Sequence, residues 1–188
     1  AGCKLLLIGE MGIGNTTTSS AVAAVLLGCP PETVTGRGAG LSDEGLARKL
    51  AAIRAGIARN CPDPADPLAV LAAVGGLDIA AMAGACLGAA AARLPLLLDG
   101  FISTVAALTA VRLCPGAEAA LLASHCSAEP AGKMLLDALG LSPLLCAGLR
   151  LGEGTGALAA LPLFDMAMAM YGGAEFSSYG MDAYTPQN

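Results

Sequence analysis

The sequence predicts an α/β fold built on a parallel sheet, and three observations carry that prediction. Short apolar runs such as Leu5–Ile8 and Leu94–Leu98 alternate with longer helical stretches, the order that right-handed βαβ units require. The notable polar clusters, residues 9–18, 99–104 and 124–130, each fall just after a predicted strand. In open α/β sheets that edge is where ligands bind. Finally, 55% of the 188 residues are hydrophobic and 13% charged, with Ala, Leu and Gly in place of aromatics, which suits helices packed closely on a sheet.

In chain order, Lys4–Ile8 is a buried strand. The Gly-rich turn Gly9-Glu10-Met11-Gly12-Ile13-Gly14-Asn15-Thr16 follows, then a helix over Ser19–Leu27 that stops at Gly28 and Pro30-Pro31. Strand, Gly-rich turn and helix N-terminus make an anion-binding layout, because unpaired backbone N–H groups and the helix dipole face the turn. A second Gly-rich loop, Gly36-Arg37-Gly38-Ala39-Gly40, precedes Ser42, which caps a helix running to about Ala58. Asp66–Val74 and Asp78–Ala92 are helical, and Leu94–Leu98 is a second strand ending in Asp99-Gly100. Ile102–Leu113 is a helix with Ser103 or Thr104 as its cap, and Ala119–Ala123 is a third strand. Pro130 opens a helix to Leu139. The cluster Gly152-Glu153-Gly154-Thr155-Gly156, with Thr155 as N-cap, leads into the last long helix, Ala157–Met170.

Composition excludes several classes. A formal charge of −5, with ten basic residues dispersed along the chain, lacks the basic face that nucleic acid demands. The apolar runs Ile79–Ala92, Phe101–Val111 and Ala138–Leu149 are each broken before the roughly 20 residues of a membrane span. Seven cysteines without a CxxC pair, and one histidine, argue against a zinc site. Such cysteines fit a reducing compartment, so the expected location is the cytoplasm. No secretory leader is legible at Ala1-Gly2-Cys3-Lys4.

Glu10, Asp99, Glu129 and Glu153 all lie at strand or loop ends that can converge. Glu153 is a candidate general base: burial beside an apolar surface would raise its pKa, whereas in an ordinary turn it is a solvated side chain. Gly9-x4-Gly14-Asn15-Thr16 approaches a P-loop, with Asn15 where the phosphate-binding lysine belongs. A single phosphate, cradled by backbone amides and helped by Lys49 or Arg37, fits that loop better than a triphosphate. His125, the one histidine, reads as a hydrogen-bonded structural residue or a catalyst.

Taken together, Gly9–Thr17, Gly36–Lys49, Leu98-Asp99-Gly100-Phe101-Ile102-Ser103-Thr104, Ser124-His125-x-Ser127-Ala128-Glu129-Pro130 and Leu151–Ala157 resemble the nicotinate-nucleotide–dimethylbenzimidazole phosphoribosyltransferase family, in order and in spacing. The resemblance covers nearly the whole chain. It implies a Rossmann-like parallel sheet flanked by helices over residues 1–170, truncated at the N-terminus. Residues 171–188 would be a tail packing on a small helical domain. It implies transfer of phosphoribose from nicotinate mononucleotide to 5,6-dimethylbenzimidazole, giving α-ribazole 5′-phosphate and nicotinate, by a homodimer without cofactor or metal. Glu153 would be the general base and Glu10 would share its pocket. Met11, Gly12, Gly14, Thr16, Gly38, Lys49 and Ser127 would bind the nucleotide, chiefly its phosphate. Asp99, Gly100 and Phe101 would lie by the bases, and Leu151 and Gly152 would also bind substrate. Ala39 departs from the family pattern, which carries Thr there. The rival readings are a P-loop-like nucleotide hydrolase and a non-catalytic nucleotide-binding fragment.

Overall fold

A computed structural model describes residues 2–173 together with residues 178, 180 and 185. Four short strands, β1 (Leu6–Ile8), β2 (Leu96–Leu98), β3 (Leu121–His125) and β4 (Pro143–Leu145), form one parallel sheet in the order β1-β2-β3-β4. Leu7 pairs with Leu97, Leu97 with Leu122, and His125 with Leu145.

Between β1 and β2 lie α1 (Thr16–Leu27), α2 (Pro31–Val34), α3 (Asp43–Asn60), α4 (Pro67–Val74) and α5 (Leu77–Ala92). Helix α6 (Phe101–Leu113) joins β2 to β3, α7 (Gly132–Leu139) joins β3 to β4, and α8 (Thr155–Tyr171) follows β4. A strand order that steps steadily one way, with right-handed crossovers, sends every connecting helix to the same face. The core shows this. Leu96 and Leu98 of β2 pack with Val22, Ile79, Val105 and Leu135 of the helical layer. Leu97 points the other way, into a smaller cluster with Ala157 and Ala160 of α8. Both faces of β2 are therefore covered, which is why it reads as an unbroken apolar run rather than an alternating one.

Helix α6 is buried at every position from Phe101 to Ala110, so it is the central helix of the layer. Among the described residues no helix is long and apolar enough to cross a membrane. All seven cysteines are free, and burial pushes the Cys86 thiol up to about 12.

Several local expectations change. Helix α1 starts at Thr16, three residues early, because the preceding turn already has the geometry to accept the Ser19 N–H at the Asn15 carbonyl, 2.9 Å away. Neither Ser103 nor Thr104 caps α6: Gly100 is the N-cap, and both hydroxyls lie inside the first turn and donate back to its carbonyl at 2.9 and 2.7 Å. Thr155 does not cap α8; Gly154 stands at that position and no local side chain closes the turn. The third strand begins at Leu121, after a 3-10 turn over Ala117–Ala120. The expected packing of residues 171–188 on a small domain falls largely outside the described residues.

Candidate active site

The carboxyl ends of all four strands open onto one cavity of about 310 Å³. Its wall has three parts: the Gly-rich turn after β1, Asp99 to Ser103 after β2, and the loop after β4 from Arg150 to Glu153. Thr16, Gly38, Ala39, His125 and Glu129 complete the lining. The four acids that the sequence placed at strand or loop ends, Glu10, Asp99, Glu129 and Glu153, all reach this wall.

Asp99 organises the loop after β4. It is buried, with 3% of its surface exposed, and sits directly beyond β2. One carboxylate oxygen accepts from the Gly156 N–H at 2.8 Å and the Ala157 N–H at 3.2 Å, and the other from the Gly154 N–H at 3.0 Å. These are the orphan donors at the start of α8, so a side chain more than fifty positions away in sequence does the work of the missing local cap. The segment is seated tightly. A Cβ on Gly156 would collide with the His125 ring, and a Cβ on Gly9 would collide with the Gly154 backbone.

Glu153 is held in this frame with φ +59°, a left-handed conformation that costs a non-glycine residue about 1–2 kcal/mol. Gly152 and Gly154 on either side are also left-handed, at φ +81° and +77°. The Glu153 N–H donates to the Glu10 carbonyl at 2.8 Å, which ties the loop after β4 to the loop after β1. The Glu10 carboxylate accepts from the Gly12 N–H at 2.6 Å. Glu153 itself is exposed, so this chain does not supply the burial expected of a base there.

At the other end of the cavity, Lys49 is buried and donates to Thr16 Oγ1 at 3.0 Å and to the Gly36 carbonyl at 2.9 Å. Burial lowers its pKa, and the Glu129 carboxylate partly offsets that. Because Thr16 Oγ1 accepts from Lys49, its own hydroxyl proton is free to donate into the cavity. Gly38 abuts the same hydroxyl: a Cβ there would lie 3.0 Å from Thr16 Oγ1. Thr16 also starts α1, whose first N–H groups have no partner within the helix.

Of the residues singled out in the sequence, Glu10, Met11, Gly12, Thr16, Gly38, Asp99, Gly100, Phe101, Leu151, Gly152 and Glu153 line the cavity together. Gly14, Lys49 and Ser127 do not line it. Ser127 is buried and accepts the Glu129 N–H at 3.3 Å, shaping the turn before α7. Arg37 is engaged elsewhere, paired with Asp43 and donating to the Leu41 carbonyl at 2.8 Å. Asn15 turns away to donate to Asp78 at 2.6 Å, so the position of a P-loop lysine faces the start of α5 and not the Gly-rich turn. Arg150 is the lining residue with no signal in the sequence, since a single Arg before a Gly-rich cluster resembles any surface cation.

His125 is 4% exposed, and Nδ1 lies 3.0 Å from the Ser124 hydroxyl. Burial lowers its pKa, partly opposed by Asp99. Glu129 is part-buried, and burial raises its pKa against the opposing pull of Lys49 and Arg150. Among the described residues no three His, Cys, Asp or Glu side chains are grouped as a metal site.

A family model described as Phosphoribosyltransferase matches residues 1–180. The nicotinate-nucleotide–dimethylbenzimidazole phosphoribosyltransferase of Desulforudis audaxviator is 56% identical over 169 residues, 90% of this chain and 48% of its own length. The enzyme of the same name from Acetivibrio thermocellus is 50% identical over 99% of this chain and 53% of its own length. The crystal structure of CobT from Thermus thermophilus superposes with a TM-score of 0.89 at 48% identity, over 96% of this chain and 54% of that one. The chain thus spans about half the length of these relatives. With the family model running from the first strand past the last helix, and relatives this similar across the same residues, the chain belongs to the nicotinate-nucleotide–dimethylbenzimidazole phosphoribosyltransferase family.

Proposed function

We propose that this chain supplies the nucleotide-binding and catalytic part of an enzyme that transfers phosphoribose from nicotinate mononucleotide to 5,6-dimethylbenzimidazole, releasing nicotinate. The observation that carries the reading is the placement of Glu153, held in a left-handed turn at the cavity wall and bonded through its N–H to Glu10. The benzimidazole carries one N–H and one bare ring nitrogen. As the bare nitrogen attacks C1′, the bond from C1′ to the pyridinium nitrogen breaks and its electron pair stays on that nitrogen, leaving nicotinate with a neutral ring and its carboxylate unchanged. The attack comes from the opposite face, so the anomeric centre inverts. Glu153 takes the N–H proton. The leaving group departs without needing a proton, so one base suffices.

The charge distribution supports this. Four carboxylates line the cavity against one guanidinium, which favours the positive charge shared by the pyridinium and C1′ during transfer. The phosphate belongs at the opposite end, on the first N–H groups of α1, the Thr16 hydroxyl and Gly38. Lys49 supports it from behind. Glu10 borders the base, and Gly100, Phe101 and Leu151 form the surface for the aromatic rings. Gly14 and Ser127 shape the loops that hold the phosphate.

We propose further that the enzyme works as a homodimer in the cytoplasm, without a cofactor. The test is mass analysis of the products formed from nicotinate mononucleotide and a panel of bases, with the remainder of the enzyme supplied. An α-linked base ribotide and free nicotinate are expected. A nucleotide that binds only with magnesium and is hydrolysed at a phosphoanhydride would overturn the reading in favour of a nucleotide hydrolase.

A further inference from the structure

The Glu129 carboxylate lines the cavity, is part-buried, and accepts no hydrogen bond and forms no ion pair among the described residues. Its backbone, in contrast, is fully used: the N–H donates to Ser127 Oγ at 3.3 Å, and the carbonyl accepts from Gly132 at 2.9 Å. The side chain is therefore aimed by a fixed turn. Room is also kept for it, since a Cβ on Gly36 would collide with a carboxylate oxygen. A partly desolvated carboxylate without a donor is costly, and the cost is recovered only if something in the cavity donates to it.

The identity of that donor follows from position, given the substrate proposed above. Glu129 lies against Gly36 and within electrostatic reach of both Lys49, at the phosphate end, and Arg150, which leads into Gly152 and Glu153 at the reacting end. A phosphate would be repelled by Glu129, and so would the nicotinate carboxylate. The benzimidazole offers a single N–H, which goes to Glu153. The groups left are the ribose hydroxyls, two donors on adjacent carbons lying between phosphate and C1′. A carboxylate has two oxygens to accept them. We propose that Glu129 accepts hydrogen bonds from the 2′- and 3′-hydroxyls of the ribose, and so makes the site selective for ribonucleotides over deoxyribonucleotides.

Isothermal titration of this chain with nicotinate mononucleotide and its 2′-deoxy and 3′-deoxy analogues tests the proposal without requiring turnover. Hydrogen bonds to a charged group of this kind correspond to about tenfold or more in affinity. The unaltered chain should prefer the ribonucleotide over either analogue by at least that factor. Glu129→Ala should bind all three alike, and Glu129→Asp should keep part of the preference. If Glu129 acted only by supporting the charge of Lys49, Glu129→Ala would weaken all three ligands equally and the preference would survive, which overturns the proposal. No preference in the unaltered chain overturns it as well, whatever the variants do, while leaving the transferase reading standing. Failure of all three ligands to bind removes the nucleotide reading itself, and this inference with it.

Discussion

The Glu153 N–H donates to the Glu10 carbonyl at 2.8 Å, joining the two loops that carry the candidate acids. The bond sets how far apart the two side chains start, and it depends on the loop after β4 keeping its left-handed turn. What holds that turn is Asp99, through its three backbone N–H bonds to Gly154, Gly156 and Ala157.

Asp99→Asn keeps the side chain's size but loses one acceptor and the charge that complements the α8 N-terminus. We expect a loss of stability of about 2 kcal/mol, read by urea unfolding, together with a drop in kcat larger than the change in KM. Unchanged stability would show that the three bonds contribute nothing net. Gly156→Ala attacks the same joint sterically and should cost about 1–3 kcal/mol, since the methyl group meets the His125 ring.

His125 is the only histidine, so its proton resonance can be followed against pH without assignment. Burial disfavours the imidazolium, so the folded-state midpoint should lie below the ordinary value of about 6.5. The sign for stability follows. The unfolded chain binds this proton at higher pH than the folded chain, so the contribution is present above about pH 6.5 and is lost as pH falls from there toward the folded midpoint. Asp99 pulls the midpoint up, so Asp99→Asn should lower it further; an upward move would contradict the pairing.

Lys49 reaches the phosphate end through Thr16 and Gly36. Lys49→Ala should weaken binding of nicotinate mononucleotide by about tenfold and leave binding of the unphosphorylated riboside nearly unchanged. Thr16→Val should reproduce much of that loss, and the double variant should fall short of the sum, as expected for residues in one network. Equal losses for nucleotide and riboside would show that Lys49 does not serve the phosphate.

Helix α8 buries Ala157 and Ala160 but leaves Met166, Met168, Met170 and Tyr171 more than 60% exposed. An exposed apolar helix end of this kind favours association. Sedimentation of this chain should show a concentration-dependent increase in mass, and a monomer that binds no hydrophobic dye would contradict it.

Much of the architecture is legible in the sequence because strand and helix periods differ and glycines mark the joints. The strands after residues 4, 94 and 119 stand out as short apolar runs, and the Gly-rich turns locate the ligand edge. β4 is not recognisable as a strand, because three residues beginning with Pro143 carry no pattern of their own and pair only through β3. The cap of α8 is misread as Thr155 for a related reason. Capping preferences are local, whereas Asp99 reaches the helix across the sheet. Likewise Lys49 is legible as a cation near a glycine loop, but that it stands behind Thr16 depends on how α3 packs on α1.

The most direct test of the account is the turnover of Glu153→Gln in the chain completed to the length of its relatives. Gln keeps the size of Glu but cannot take the benzimidazole proton, and a positioned base contributes about 10²–10⁴-fold to rate. We expect kcat to fall by roughly 100-fold or more, with the affinity for nicotinate mononucleotide little changed, while Glu10→Gln retains more activity. A near-normal rate in Glu153→Gln, with Glu10→Gln inactive, would assign the base to Glu10 and contradict the central claim.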